Sequence, residues 1–225
     1  MPILDQPQSA ATLKPSGLEP AWVAFEDRLR HDSRWALSEG SLFFQNGGAV
    51  QQSLTRIVAR LEELGIPYAI VGGMALFQHG FRRFTEDVDL LVTSEGWSLI
   101  HENLIGLGYV LPFSGSRNLR DTETGVRIEF LITGAFPGDG KPKPIAFPDP
   151  AQVAVELDGR KYVPLVTLIE MKLASGITNS SRLKDLADVQ EVTKALNLPI
   201  TFADQLHPYV RDKFCELWSP ADDAS

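Results

Sequence analysis

YAIVGGMALFQHGFRRFTEDVDLLVT, residues 68–93, decides how this chain is read. It starts as an apolar strand over 68–71, breaks at Gly72-Gly73, and continues as a short helix over 73–79. Phe84 and Thr85 then lead into a second strand, 88–92, whose start carries Asp87 and Asp89. Strand side chains alternate faces, so the two acids point one way while Val88 and Leu90 point into the core. Their Cα atoms lie roughly 6–7 Å apart by the usual rise per residue. Two like charges that close raise a pKa or weaken the strand unless a cation joins them. A hard divalent ion, most naturally Mg²⁺, takes such oxygen ligands. Taken alone, Asp-Val-Asp equally fits two acids flanking a half-exposed strand.

A third acid would complete an ion site. Glu129, in VRIEFLI (126–132), sits on another strand between Ile128 and Phe130 and shares a face with Arg127. It reaches the pair if its strand lies beside 88–92; otherwise it faces solvent or pairs with Arg127. Asp121 and Glu123 fall in the preceding turn and fit less well. Gly72-Gly73 permits tight turning and close approach by a ligand, and the helix that follows offers free N–H groups to phosphate. A plain strand-to-helix turn would use the same residues.

Outward from this stretch, AWVAFEDRL (21–29) places Trp22, Phe25 and Leu29 at helical spacing, and 35–48 has no clear period. Val50, Leu54, Ile57, Val58 and Leu61 form one helical stripe that Gly65 and Pro67 stop. A helix is expected from Ser94 or Glu95 to about Gly106, and a short strand over 109–113. Asp121 to Gly125 reads as a turn before the strand 126–132. A Pro/Gly/Lys-rich loop covers 134–148, and 153–157 with 161–163 form a hairpin about Asp158-Gly159. Helices follow over 165–175 and 181–196, separated by a break at 176–180. A last helical stretch packs back through Phe202, Leu206, Val210, Phe214 and Leu217. The fold class is α/β (α+β): a mixed sheet flanked by helices, with a mainly helical carboxyl-terminal part.

Bulk properties narrow the function. The chain has 225 residues, 44% hydrophobic, with net charge −8 and a pI near 5.0. That supports one sizeable core and disfavours bulk, sequence-blind DNA binding, although a local basic cleft is compatible with it. One cysteine, Cys215, excludes an intrachain disulfide framework and fits a reducing compartment. The first residues carry no signal-peptide core and no run reaches about 18 apolar residues, so a soluble, cytoplasmic protein with no membrane partner is expected. There is no dinucleotide fingerprint and no P-loop. His31, His79, His101 and His207 have no ligand spacing, against a metal-dependent phosphohydrolase.

IVGGMAL, TEDVDLLV and IEF together resemble the nucleotidyltransferase superfamily, of DNA polymerase beta-like fold, in which a Gly-Gly or Gly-Ser pair and a short helix precede an Asp-x-Asp strand. The resemblance spans roughly residues 50–135. It implies a triphosphate near Gly72-Gly73, two Mg²⁺ ions held by Asp87, Asp89 and Glu129, and Glu129 helping to activate a hydroxyl. VPLVTLIEMKLASGITNSSRLKDLADVQEV (163–192), with Met-Lys-Leu and then Arg-x-Lys-Asp-x-x-Asp, is similar to the AbiEii-type subgroup, which includes toxins of toxin–antitoxin pairs. That likeness implies a catalytic Lys172 and a nucleotide cleft lined by Lys172, Lys184, Asp185 and Asp188, with Arg83 a further phosphate contact. Many such toxins are longer and more basic, and the polar break at 176–180 separates Lys172 from the Arg-x-Lys-Asp run.

On residues alone, Lys184 and Asp188, and Arg182 and Asp185, are spaced to pair, and Leu183, Leu186 and Ala187 to face the core. Arg82, Arg117, Arg120, Arg127, Lys141 and Lys143 are further candidates for phosphate or acceptor contacts, each also readable as a solvated charge. Phe81 and Phe84 read as core or rim, and His79 as structural. The expected organisation is a flexible tail over 1–18, a nucleotidyltransferase core with amino-terminal helices over 19–163, and a helical part over 164–219. The expected reaction moves a nucleoside monophosphate from NTP to a hydroxyl on tRNA, protein or a small molecule, with an antitoxin as a possible partner. A catalytically inactive nucleotide-binding or protein-interaction member is the alternative.

Overall fold

A computed structural model describes residues 23–218. The expected tail over 1–18, Trp22 and residue 219 lie outside them. The centre is a seven-stranded mixed sheet. Its strands are β1 (Tyr68–Ile70), β2 (Asp87–Val92), β3 (Tyr109–Val110), β4 (Asn118–Asp121), β5 (Arg127–Ile132), β6 (Val155–Leu157) and β7 (Arg160–Tyr162), in the order β3-β4-β5-β2-β1-β7-β6. The acid strand is therefore interior. β2 runs antiparallel to β1 and parallel to β5, in register from Asp87 opposite Arg127 to Val92 opposite Ile132. Burial along β2 explains this place: Val88, Leu90, Leu91 and Val92 are fully buried, and only Asp87 and Asp89 at its start remain partly open. A strand apolar on both faces belongs inside a covered sheet, so the charged end must face a cleft.

The helices follow their apolar stripes. α1 (Phe25–His31) and α2 (Ser33–Phe44) lead into α3 (Gly48–Glu63), which buries Val50, Leu54, Ile57, Val58 and Leu61. The stretch without a clear period is α2, started by the Asp32 side chain accepting from Trp35 N at 3.0 Å. α4 (Gly72–Gln78) joins β1 towards β2, and α5 (Ser94–Leu104) follows β2, with Trp97 packing on Phe130 of β5 at 5.1 Å between ring centroids. The strand expected over 109–113 stops at Val110. At the hairpin, Asp158 and Gly159 both have positive φ, +50° and +73°, as a two-residue turn of this hand requires. Val153, expected at the start of that hairpin, instead closes a short helix, α6 (Pro150–Val153), capped by Asp149.

The carboxyl-terminal region is mainly helical: α7 (Leu165–Thr178), a 3₁₀ turn (Ser180–Arg182), α8 (Leu183–Ala195), a second 3₁₀ segment (Ile200–Gln205) and α9 (Pro208–Leu217). Phe202, Leu206, Val210 and Phe214 are buried, as their spacing indicates. Two expectations need correction. α7 does not break at Gly176 but continues to Thr178. Gly176 is a close-approach point, where an added Cβ would lie 2.4 Å from Leu186 Cγ, so the glycine lets α8 pack against α7. Nor does α8 bury Leu183 and Ala187: Leu183 is 66% exposed, Ala187 is exposed, and Leu186 is half-buried against Gly176. Its buried face is Asp185, Asp188, Val189, Val192 and Thr193. The helix turns two acids inward because cations wait there. Among the described residues, no helix is long and apolar enough to cross a membrane.

Candidate active site

Parallel pairing of β2 with β5 sets Asp89 opposite Glu129 and Asp87 opposite Arg127. Alternation then brings Asp87, Asp89, Arg127 and Glu129 to one face of the sheet. One carboxylate oxygen each from Asp87, Asp89 and Glu129 lies within 4.8 Å of the others, and all three residues are partly buried. Register thus unites the three acids singled out by sequence. Asp121 and Glu123 are elsewhere: Asp121 is buried, accepting from Ser53 Oγ at 2.8 Å and from Arg56 Nη2 at 2.6 Å, and Glu123 pairs with Arg56 at 2.9 Å.

The three carboxylates differ in surroundings. Asp87 accepts from Arg127 Nη2 at 2.6 Å and from Thr85 Oγ1 at 2.8 Å. Burial works against its ionisation, yet these two donors and the more distant Lys184 charge hold its carboxyl below the ordinary range. Asp89 has no side-chain donor among the described residues. Burial, then the neighbouring Asp87 and Glu129 charges, push its carboxyl up to about 8. Arg127 Nη2 also stands 3.9 Å from Glu129.

The glycine pair has a specific steric job. Gly72 has φ +61°, and an added Cβ would fall 1.8 Å from Asp89 Oδ2. At Gly73 an added Cβ would lie 2.7 Å from Thr85 Oγ1. Both glycines therefore let the amino-terminal turn of α4 close against Asp89 and against Thr85, which donates to Asp87.

A second wall comes from α7 and α8. Lys172 Nζ donates to Asp185 Oδ1 at 2.9 Å and to Asp188 Oδ2 at 2.8 Å. Arg83, on the loop before β2, donates to Asp188 Oδ2 through Nη2 at 2.8 Å, while its Nε stands 2.8 Å from Oδ1 as an ion pair without hydrogen-bond geometry. Ser175 Oγ and Arg182 Nε donate to Asp185 Oδ2 at 2.7 and 2.8 Å. Burial opposes ionisation of Asp185, but the Lys172 charge, the Ser175 hydroxyl and Arg182 hold its carboxyl low. The wall lies within electrostatic reach of the acid cluster: Lys172 acts on Asp89, Lys184 on Asp87, and Arg182 on Glu129 and Asp89.

The expected Lys184–Asp188 pair does not form. Asp188 faces inward and its oxygens are taken by Arg83 and Lys172, while Lys184 is exposed. The expected Arg182–Asp185 pair does form. Of the other cations, Arg120 binds Glu26, and Lys143 donates to Pro137 O, Asp139 and Thr178. His79 Nε2 lies 2.8 Å from Val163 O, a structural role, and Phe84 packs edge-on against Phe43. Sequence reading missed Thr85 and Ser175. Thr85 was legible as the residue two before Asp87; nothing local marked Ser175.

The donor set fits a hard divalent cation. It is all carboxylate oxygen, one member lacks any hydrogen-bond donor, and nitrogen and sulfur ligands are absent from the cluster.

No protein-family model and no curated protein matches the chain. Among solved structures it is similar to a crystal structure of ANT(2")-Ia in complex with adenylyl-2"-tobramycin, at 14% identity over 75% of this chain and 98% of that one, with a TM-score of 0.48. It is likewise similar to a solution structure of the antibiotic-resistance factor ANT(2'')-Ia, at 15% identity over 73% of this chain and 92% of that one, with a TM-score of 0.48. Both similarities concern overall outline, at an identity too low to assign the role of any residue.

Proposed function

We propose that this chain is a Mg²⁺-dependent nucleotidyltransferase of the polymerase beta-like kind, moving a nucleoside monophosphate from NTP to a hydroxyl and releasing pyrophosphate. The observation that carries the reading is the convergence of Asp87, Asp89 and Glu129, oxygen atoms within 4.8 Å of one another, beside a Gly72 backbone that admits no side chain. Asp87, Asp89 and Glu129 would hold the divalent ions. When bound, Mg²⁺ supplies Lewis-acid stabilisation of the charge that builds on the reacting phosphate and lowers the pKa of the acceptor hydroxyl. Arg127 and Thr85 keep Asp87 ionised and oriented. Glu129, with its side chain 38% exposed, is the most open of the cluster towards an incoming hydroxyl. The Gly72-Gly73 turn offers the triphosphate a close backbone approach.

Residues 19–163 would then form the catalytic core, and 164–219 a helical part that flanks the cleft. The finer reading, an AbiEii-type subgroup member, rests on the Met-Lys-Leu and Arg-x-Lys-Asp-x-x-Asp motifs of 171–188. Within it, Lys172 acts on the site through Asp89 and through the carboxylates it holds. The acidic balance favours a small molecule or a protein over a long RNA as acceptor.

One observation favours the catalytically inactive alternative: the Arg127 guanidinium already neutralises Asp87 at 2.6 Å, as an internal counter-ion would. Incubation with each labelled NTP, Mg²⁺ and a panel of RNA, protein and small hydroxyl acceptors separates the two. Label transfer that disappears in Asp89→Asn supports the transferase. NTP binding without transfer supports the alternative, and neither binding nor transfer removes both.

A further inference from the structure

Four basic side chains belong to the second wall, and their engagement differs. Lys184 is exposed and acts on Asp87 as a point charge, with no planar fork to offer paired phosphate oxygens. Lys172 has a side chain only 9% exposed, and its Nζ is held between Asp185 and Asp188. Arg83 donates through Nη2 to Asp188 and through Nη1 to Phe84 O at 3.1 Å, and its buried Nε stands beside Asp188 as an ion pair only. Arg182 is fastened along one edge only. Its Nε donates to Asp185 Oδ2 at 2.8 Å and to Ser175 Oγ at 3.3 Å. No described residue bonds Nη1 or Nη2, and the side chain is 55% exposed. Arg182 is also within electrostatic reach of Glu129 and Asp89.

A guanidinium held this way is prepared for an anion. The planar fork presents paired donors that match non-bridging phosphate oxygens. The tether at Nε removes side-chain freedom before the ligand arrives, which lowers the ordering cost of binding. Asp185 does not cancel the charge on Arg182, because Lys172 shares that carboxylate. The reacting phosphate has to lie at the acid cluster itself. A cation on the neighbouring wall is left to meet the phosphates farther along the chain.

We propose that Arg182 binds the terminal phosphates of the nucleoside triphosphate through Nη1 and Nη2, with Asp185 and Ser175 as the positioning residues that aim it. The assignment rests on the nucleotidyltransferase reading and names the residue that would receive the pyrophosphate portion of the substrate.

Calorimetry on the full chain tests it, using the four ribonucleoside triphosphates with Mg²⁺, the monophosphate of the preferred base, and Mg²⁺ alone. Arg182→Gln should weaken triphosphate binding about 10- to 100-fold, the usual worth of a lost charged hydrogen bond, with monophosphate and Mg²⁺ affinity changed by less than about twofold. Arg182→Lys, which keeps charge but loses the fork, should fall between, and Ser175→Ala should weaken triphosphate binding by a few-fold. Wild-type triphosphate affinity in Arg182→Gln overturns this assignment and leaves the nucleotidyltransferase reading intact. Equal loss of triphosphate, monophosphate and Mg²⁺ binding, with a lower melting temperature, also overturns it, in favour of a structural Arg182–Asp185 pair. No triphosphate binding by the wild type removes the nucleotidyltransferase reading and this assignment together.

Discussion

Replacing Asp89 by Asn should stabilise the metal-free protein at pH 8, although it removes a residue at the centre of the site. The Asp89 carboxyl is pushed up to about 8 from 3.8 by burial and by its two acidic neighbours. An acid whose pKa is raised on folding binds more protons in the native state than in the unfolded one between the two values. Wild-type stability is therefore lost as pH climbs from about 4 to 8. At about 1.36 kcal/mol per unit, four units amount to roughly 5–6 kcal/mol at the upper end. Asp87 and Asp89 titrate together, so about half, or 2–3 kcal/mol, is assigned to Asp89 alone. At about 2–4 °C per kcal/mol for a chain of this size, Asp89→Asn should melt about 5–10 °C above wild type at pH 8 in EDTA. At pH 5 only about one unit of the shift is expressed, and the gap should shrink to about 2–3 °C. Scanning calorimetry at both pH values reads the difference. Adding Mg²⁺ should narrow or reverse it, because the wild type gains a bound ion that the variant holds poorly. An Asn variant no more stable than wild type at pH 8 in EDTA would refute the claim that three carboxylates crowd one another there.

Other perturbations have distinct signatures. Gly72→Ala puts a Cβ 1.8 Å from Asp89 Oδ2 at a φ of +61°, so thermal melts should show a loss of about 2 kcal/mol or more, and Mg²⁺ binding should fall with it. Lys172→Met leaves buried Asp188 with Arg83 and buried Asp185 with Arg182 and the Ser175 hydroxyl; denaturant titration should show a loss of about 3 kcal/mol, which Asp185→Asn in the same chain partly restores. Glu129→Gln removes one of the two charges that push Asp89 up, so in EDTA at pH 8 it should melt slightly above wild type, by less than Asp89→Asn, while weakening Mg²⁺ binding about tenfold or more, read by calorimetry.

Much of this was legible in the sequence, for physical reasons. Period-two alternation fixed which faces Asp87, Asp89 and Glu129 take, and the long apolar run after Asp89 marked β2 as a covered strand. Pairing between β2 and β5 was not legible, because register across 40 residues is set by tertiary packing; yet it alone turns three separate acids into one cluster. The glycines misled in opposite ways. Gly176 reads as a helix stop but serves helix–helix approach, and Gly72 reads as a ligand turn but is equally demanded by the Asp89 carboxylate pressed against it. α8 defeated its pattern because a buried Lys172, Arg83 and Ser175 make a polar environment in which Asp185 and Asp188, rather than Leu183, face inward. Local spacing could pair Arg182 with Asp185 but could not foresee that Asp188 would be claimed from Arg83, 105 residues away.

Crystals of the protein grown with Mn²⁺ and a non-hydrolysable nucleoside triphosphate test the central claim most directly. The account expects anomalous density between Asp87, Asp89 and Glu129, with the triphosphate running from the Gly72-Gly73 turn towards Arg182. Crystals in which Arg127 still bonds Asp87, with no anomalous signal at the three carboxylates, would contradict it.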